Sequence, residues 1–539
     1  MAEWWRGATV YQIYPRSFQD TTGNGIGDLP GITRRLGHVA SLGVDAIWLS
    51  PFFASPQADM GYDVSDYKGV DPLFGTLSDF DALVGRAHDL GLKVIIDQVL
   101  SHTSDKHPWF IESRASRSNP KADWYVWAAP RADGTAPNNW LSHFGGPSWE
   151  YEPRRGQYYM HNFLSKQPDL NFHNPEVQEA ILDAVRFWLE RGVDGFRLDT
   201  VNYYFHDPLL RDNPVLPQGE HEMASGTYAM QDHIHDKTRP ENIAFLQRLR
   251  ALTDRYPDRM LIGEVGESDR AVQVMADYTR GNDRLHMAYS FDMLGPRFSP
   301  AHFRRVIGEF LTGAPDGWPS WSFSNHDVVR HVTRWAAHAR DADALAKQAI
   351  ALLTSFPGTL GIYQGEELGQ TETELTYDEL TDPPGLRFWP ENKGRDGCRT
   401  PMVWEADAPN AGFSSARPWL PVKPPQAARA VDRQESHPQS VLAAYRAQLA
   451  FRKSRPELMF GTTRFLDLGS TVLGIERAKD GARLLCLFNL SPDRARLRLS
   501  GGAAPVGPSQ SVEVGAGAIT FGPNGFVFLD AGDGVSVAA

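Results

Sequence analysis

Carboxylate and arginine side chains stand where short apolar stretches of the sequence end. Arg197 and Asp199 are two residues apart in GFRLDT, so on a strand both would point to the same face. Glu264 closes the apolar run RMLIGEV. A neighbouring guanidinium favours the charged form of Asp199, whereas apolar neighbours favour a protonated Glu264. Two such carboxyl groups could cleave a glycosidic bond, one attacking the anomeric carbon and the other protonating the leaving oxygen.

Other apolar runs end in polar residues as well. Any single one has an ordinary explanation, because an Asp after a strand commonly caps the next helix. Several such strand ends together are harder to explain, and without a Cys/His cluster they favour acid–base and covalent chemistry over metal hydrolysis. The further polar residues at these places are Asp59, Tyr62, Asp97, His102, Asn325, His326 and Asp327.

Eight short β-rich runs alternate with longer helical patterns and would position these residues. The runs are 8–18, 45–53, 92–100, 195–200, 259–265, 285–293, 320–327 and 358–368. Between them, apolar residues recur at helical spacing, as in PEVQEAILDAVRFWLERG. This alternation predicts an α/β fold with a (β/α)8 TIM barrel, in which functional groups collect where the strands end.

Two segments are too long for ordinary loops, and the pattern changes towards the C terminus. We predict that the barrel is formed by 1–100 and 172–455, with a loop-rich inserted subdomain over 101–171 after the third strand. A second insertion, at about 369–434, follows the eighth strand, and long insertions of this kind are usually functional. Short strands over 456–539 predict a separate antiparallel β-sandwich domain.

Composition excludes several classes of protein. The chain has 539 residues and a formal net charge of −12, which argues against a broad nucleic-acid or anionic-membrane surface. Two distant cysteines indicate neither a disulfide framework nor a zinc cluster. No apolar run approaches the roughly 20 residues that span a bilayer, and the first residues lack a signal-peptide pattern. The expected compartment is therefore the cytoplasm.

Five stretches resemble the conserved segments of the α-amylase family of glycoside hydrolases (family 13). They are DQVLSHTS (97–104), QPDLN (167–171), GFRLDTVN (195–202), GEV (263–265) and SFSNHD (322–327), in the order found in the family. The opening YQIYPRSFQD and the late GRDGCRTPMVW match too, so the similarity covers nearly the whole chain. QPDLN and the RTPM stretch resemble the exo-acting oligo-1,6-glucosidase and α-glucosidase branch.

The resemblance implies roles for the matching residues. Asp199 would be the nucleophile, Glu264 the acid/base and Asp327 the residue that orients and distorts the sugar. Either Arg395 or, less favoured, Arg399 would reach the non-reducing end of the pocket. The substrate-binding residues implied in this way are Asp59, Tyr62, His102, Phe163, Arg197, Thr200, Phe291, His326, Arg395 and Arg399. For the two phenylalanines, core packing is nearly as good an explanation.

The function implied by the resemblance is a retaining exo-α-glucosidase that needs no cofactor for catalysis. It would act on maltose and short malto-oligosaccharides through a glucosyl ester on Asp199, with sucrose or alcohol acceptors left open. In this branch, Val after the nucleophile accompanies α-1,6 specificity and Thr or Ala accompanies α-1,4, so Thr200 favours α-1,4. The alternatives are an oligo-1,6-glucosidase, a sucrose-acting hydrolase and an isomerising transglucosidase. A catalytically silent, transporter-associated barrel is disfavoured, because the carboxylates are present.

A second motif, DTTGNGIGD over 20–28, alternates oxygen-bearing residues with glycines, as calcium loops do. In relatives, a loop at this place after the first strand binds a cation. A structural Ca2+ or Mg2+ is therefore expected here, and a Gly-rich turn without metal is the alternative. The ligands would be Asp20, Thr22, Asn24, the Ile26 carbonyl and Asp28.

Overall fold

An eight-stranded parallel sheet lies at the centre of the computed structural model, which describes residues 3–216, 226–532 and 534–539. A bridge between Ala288 and Pro319 joins the two outer strands of the sheet and nearly closes it. The predicted (β/α)8 barrel is confirmed, and its spatial order is 6-5-4-3-2-1-8-7. The strands are β1 (Thr9–Ile13), β2 (Ala46–Leu49), β3 (Lys93–Gln98), β4 (Gly195–Leu198), β5 (Met260–Val265), β6 (Met287–Ser290), β7 (Ser320–Ser322) and β8 (Thr359–Tyr363).

Each strand is shorter than the run that predicted it. The polar residues that follow β4 and β7 therefore lie in loops, where their side chains can turn towards the barrel mouth. Asp199 comes directly after β4, and Asp327 lies five residues beyond β7. Glu264 is still within β5.

Helices pack around the sheet, and several begin at a side-chain cap. Asp28, Thr76, Asn174 and Ser299 each accept a backbone N–H of the first turn of the helix that they precede. The main helices are α1 (Leu29–Ser41), α2 (Leu77–Asp89), α3 (Pro175–Glu190), α4 (Asn242–Thr253), α5 (Ala271–Thr279), α6 (Pro300–Gly313), α7 (Ala342–Ser355) and α8 (Val441–Ser454).

The segment after β3 forms a small subdomain with its own apolar centre. It contains a helix (Pro108–Ala115) and an antiparallel sheet of three short strands (Trp127–Ala128, Trp149–Glu152 and Gln157–Met160). The buried rings of Trp140 and Trp149 stack at 5.8 Å. A bridge between His102 and Asp169 joins the two ends of the segment, which fixes its base at the barrel mouth.

The C-terminal domain is antiparallel, as predicted, but its strands form one continuous hydrogen-bonded sheet. The long strand β14 pairs with β11 through 526–530 and with β12 through 518–521. Apolar residues such as Leu487, Leu497 and Val527 are enclosed between the two halves. The strands are β9 (Thr462–Leu466), β10 (Val472–Lys479), β11 (Ala482–Asn489), β12 (Ala495–Ser500), β13 (Ala503–Gly515), β14 (Ala518–Ala531) and β15 (Ser536–Ala538).

The C-terminal domain packs firmly on the barrel. The ring of Phe528 in β14 lies 5.0 Å from that of Phe451 in α8, and the core of the barrel continues into this contact. In the described ranges, no helix has both the length and the apolar character needed to cross a membrane.

Candidate active site

Arg197 occupies the centre of the barrel mouth and is fully buried. Its Nη1 donates to Asp97 at 2.8 Å and to Asp199 at 2.7 Å. Its Nη2 lies 2.6 Å from Glu264 Oε1, and its Nε donates to the Tyr289 hydroxyl at 3.0 Å. Four neighbouring strands, β3 to β6, thus meet at one guanidinium.

The backbone is strained directly after Asp199. Thr200 has a φ of 38°, in the left-handed region that a β-branched residue rarely adopts. This conformation lets its N–H donate to Glu264 Oε2 at 3.1 Å, while its hydroxyl lies 3.3 Å from Asp199 Oδ2. Strain of this kind costs about 1–3 kcal/mol and persists where the surroundings enforce it. The turn therefore couples the positions of the two carboxyl groups.

Burial controls the charge of these carboxyl groups. It raises the pKa of Asp199 and of Glu264 to about 7, and that of Asp97 to about 6. Arg197 lowers all three pKa values, but its single positive charge is shared among three carboxylates. Arg197 favours the charged form of Asp199, as expected from the sequence, but burial outweighs it, so the pKa of Asp199 is raised.

Asp327 lies across the cavity in a different electrostatic setting. Its Oδ1 accepts from Arg399 Nη2 at 3.0 Å and from Arg395 Nη1 at 3.4 Å, and its Oδ2 lies 3.3 Å from His326 Nε2. Burial disfavours the charged form, but His326, Arg395 and Arg399 outweigh it and lower the pKa of Asp327. Asp327 therefore loses its proton at a lower pH than Asp199 and Glu264 do.

Arg395 closes one end of the cavity together with Asp59. Its Nη2 donates to Asp59 at 2.7 Å and to Asp382 at 2.6 Å. Gln167 donates to the other oxygen of Asp59 at 3.1 Å. Arg399 is buried behind this pair, so Arg395 is the candidate arginine that lines the cavity.

His102, Tyr62 and Phe163 form an aromatic wall beside this closed end. Burial lowers the pKa of His102 to about 4, so the ring is neutral and its Nε2 donates to the Tyr62 carbonyl at 3.1 Å. The Tyr62 ring stacks on His326 with centroids 5.4 Å apart, and its hydroxyl contacts His326 Nε2. The ring of Phe163 lies 5.3 Å from that of His102.

One cavity of about 400 Å3 joins these groups. Arg197, His326 and Arg399 lie behind its surface and hold the carboxylates that face it. The sequence-predicted residues that line the cavity are Asp59, Tyr62, His102, Phe163, Asp199, Thr200, Glu264, Phe291, Asp327 and Arg395.

Part of the cavity wall comes from residues that sequence reasoning missed, next to Phe163, whose ring lies 5.5 Å from that of Tyr203. Lys237 Nζ donates to the Gly266 carbonyl at 2.7 Å and lies 3.3 Å from the Tyr203 hydroxyl, which contacts the Tyr228 hydroxyl at 3.0 Å. These residues follow β4 and meet the end of β5 only in the folded chain, and no local motif marks them. Asp382 was missed for the same reason, whereas Gln167 belongs to the QPDLN stretch.

The predicted metal ligands lie in the loop that leads into α1. Both oxygens of Asp20 accept hydrogen bonds, at 2.6 to 2.9 Å, from N–H groups of its own loop and from Ser414. Asp28 caps α1, and Asn24 accepts from the Ile26 N–H at 2.8 Å. Internal donors therefore occupy the oxygens that a cation would need. The loop thus satisfies these oxygens without an ion, and cation binding stays a prediction.

The site geometry agrees with comparisons to known proteins. The model of the alpha-amylase catalytic domain matches residues 12–461. The chain belongs to the alpha-amylase family. A probable alpha-glucosidase of Rhizobium meliloti (strain 1021) is 58% identical over 502 residues, which cover 92% of this chain and 91% of that protein. An oligo-1,6-glucosidase of Heyndrickxia coagulans is 37% identical over 530 residues, covering 91% and 93%. Among solved structures, the alpha-glucosyl transfer enzyme XgtA has a TM-score of 0.96 at 53% identity, covering 98% of this chain and 100% of that one.

Replacing Glu264 with Gln in this alpha-amylase family member should raise its melting temperature at alkaline pH. A carboxyl with a higher pKa in the folded protein binds its proton more tightly there. The folded protein therefore loses stability as pH rises from about 4.3, the value in an unfolded chain, to about 7. Calorimetry should show wild type and Glu264→Gln converging at low pH and separating above neutral pH.

A variant with the opposite sign provides the control for that measurement. Arg464 and Arg483 lower the pKa of Glu476, so Glu476→Gln should lose stability at neutral pH and not at low pH. If wild type and Glu264→Gln depended equally on pH, the burial-raised pKa of Glu264 would be wrong.

Removing divalent cations with a chelator should leave the melting temperature unchanged. The loop carboxylates have hydrogen-bond partners within the protein, so the folded loop does not need a cation to neutralise them. The measurement compares thermal unfolding of chelator-treated protein before and after calcium is returned. A rise of several degrees on adding calcium would contradict this outcome and support the ligand set expected from the sequence.

Proposed function

We propose that the protein is a retaining exo-acting α-glucosidase. It would release terminal α-1,4-linked glucose from maltose and short malto-oligosaccharides, and also transfer glucose to hydroxyl acceptors. The observation that carries this proposal is the pair Asp199 and Glu264, which contact one guanidinium and both line the same cavity. An attacking carboxylate and a protonated carboxyl are the two groups that glycosidic cleavage requires.

In the first step, Glu264 gives its proton to the glycosidic oxygen while Asp199 attacks the anomeric carbon. The bond between that carbon and the leaving oxygen breaks, and the leaving group departs as a neutral alcohol. Asp199 Oδ2 is the better placed oxygen for attack, because it accepts only the long hydrogen bond from the Thr200 hydroxyl within the described residues, whereas Oδ1 accepts from Arg197 at 2.7 Å. Asp327, kept charged by its arginines, would bind sugar hydroxyls and orient the ring.

In the second step, Glu264 acts as a base instead of an acid. As a carboxylate it takes a proton from water or from an acceptor alcohol, whose oxygen then attacks the anomeric carbon and displaces Asp199. Two displacements retain the anomeric configuration. One guanidinium bridges both carboxylates, which favours the short separation of retaining enzymes, about 5–5.5 Å, over the wider gap of inverting ones.

The closed end of the cavity supports exo action. The ion pair of Arg395 with Asp59, which Asp382 also contacts, would stop a glucan chain from passing beyond the innermost sugar. Such a chain would then enter with its terminal glucose. Tyr203 and Tyr228 also line the cavity, and their hydroxyls could bind a leaving sugar or an acceptor.

Further observations support the proposed α-1,4 linkage preference and the transfer of glucose to acceptors. Thr200 follows the inferred nucleophile and lines the cavity, so the threonine that the resemblance associates with α-1,4 specificity is placed to contact the substrate. Greater identity to the probable alpha-glucosidase than to the oligo-1,6-glucosidase points the same way. Likeness to an alpha-glucosyl transfer enzyme supports transfer.

Product analysis by NMR tests the proposal directly. Maltose, isomaltose, sucrose and trehalose should be supplied separately, with and without an alcohol acceptor. Maltose should be cleaved fastest and give α-glucose first, with an α-glucoside of the alcohol when one is present. Release of β-glucose first would contradict retention, and faster cleavage of isomaltose or sucrose would contradict the proposed linkage.

Replacing Thr200 with Val tests the linkage assignment. Valine fills the same space but removes the hydroxyl that contacts Ser101, so the acceptor side becomes apolar. The ratio of kcat/KM for isomaltose to that for maltose should rise about tenfold, the effect of roughly 1.4 kcal/mol between the two transition states. Thr200→Ser, which keeps the hydroxyl, is the matched control. An unchanged ratio in Thr200→Val would remove Thr200 from the determinants of linkage.

A further inference from the structure

Tyr289 lies beneath the site on β6, where neither the sequence motifs nor the family resemblance drew attention to it. Its side chain is almost fully buried, with 5% of the residue exposed. The hydroxyl accepts from Arg197 Nε at 3.0 Å and donates to Glu264 Oε1 at 3.1 Å. The hydroxyl therefore links the Arg197 guanidinium to Glu264, the inferred acid/base, in addition to their direct contact.

The two oxygens of Glu264 have unequal surroundings because of this contact. Oε1 accepts from the Tyr289 hydroxyl and lies 2.6 Å from the positively charged Arg197 Nη2. Within the described residues, Oε2 accepts one hydrogen bond, from the Thr200 N–H at 3.1 Å. A proton placed on Oε1 would oppose the Tyr289 donor and lie against the positive charge of Arg197, so the transferable proton belongs on Oε2.

We propose that Tyr289 is a positioning residue for acid/base transfer: it holds Glu264 Oε1 against Arg197, so that Oε2 carries the proton that moves to and from the glycosidic oxygen. This inference rests on the proposed glucosidase function. In the forward step the proton leaves Oε2 for the leaving oxygen, and in the return step Oε2 takes a proton from the incoming hydroxyl.

Other charged groups lie around Glu264 on three sides, and of these Arg197 also contacts Oε1. Asp97 comes from β3, Arg197 and Asp199 from β4, and Asp327 with His326 from the loop after β7. Burial raises the pKa of Tyr289 well above its usual value, so its hydroxyl remains a neutral donor while Glu264 titrates. The ring packs among Trp48, Ile262 and Met287, a setting that also suits phenylalanine.

Tyr289→Phe removes the donor and keeps the ring. The hydroxyl favours the charged form of Glu264, so its loss should raise the pKa of Glu264. The alkaline limb of the kcat/KM profile should then move to higher pH by about half to one unit. Without a fixed Oε2, kcat for maltose should fall about tenfold. An aryl α-glucoside whose leaving group needs no proton should lose much less activity.

Tyr445→Phe is the matched control. Tyr445 in α8 also donates to a buried carboxylate at 3.1 Å, that of Glu366, but outside the cavity. Tyr445→Phe should lower the melting temperature about as much as Tyr289→Phe does. It should leave the pH profile of kcat/KM and its dependence on the leaving group unchanged.

Different results would overturn the glucosidase function and the positioning role of Tyr289. If wild type cleaves no α-glucoside, the proposed function fails. If wild type is active and Tyr289→Phe keeps the wild-type alkaline limb and leaving-group dependence, the positioning role of Tyr289 is overturned. Should the Phe variant not fold, 3-fluorotyrosine at position 289 makes the hydroxyl a stronger donor. The alkaline limb of the kcat/KM profile should then move to lower pH. A limb that stays in place would overturn the positioning role of Tyr289.

Discussion

The electrostatic balance of the site depends on one buried guanidinium that serves three buried carboxylates. Arg197 contacts Asp97, Asp199 and Glu264, and a single positive charge cannot neutralise three negative ones. Burying the uncompensated charge is costly, which raises the pKa of all three carboxyl groups. A proton kept on Glu264 would leave Asp199 able to attack and Glu264 able to donate.

The barrel strands position the three carboxyl groups around Arg197. In-register pairing sets Arg197 opposite Asp97 on β3 and Ile262 on β5, two residues before Glu264. The strained turn at Thr200 then ties the nucleophile to the neighbouring carboxyl. Elsewhere in the cavity, Arg395 and Arg399 help to lower the pKa of Asp327, whereas burial raises those of Asp199 and Glu264.

Much of this arrangement could be predicted from sequence, and the rest could not for definite physical reasons. Alternating periodicity located all eight barrel strands, and motif order indicated which strand ends meet. Sequence spacing does not report burial, so the raised pKa of Asp199 was missed. The contacts of Tyr289 and Lys237 exist only after distant segments meet. The loop over 20–28 looks like a cation site as a string of oxygen-bearing residues, but folding directs those oxygens towards its own N–H groups.

The central claim is that Asp199 is the group that attacks the sugar. A fluorinated α-glucosyl fluoride, whose fluorine slows hydrolysis of the ester, should inactivate the protein by accumulating that ester. Proteolysis and mass spectrometry of the inactivated protein would locate the added sugar. The account predicts one sugar per chain, on the peptide that contains Asp199. A label on Glu264 or Asp327, or rapid turnover of other α-glucosides by Asp199→Asn, would contradict it.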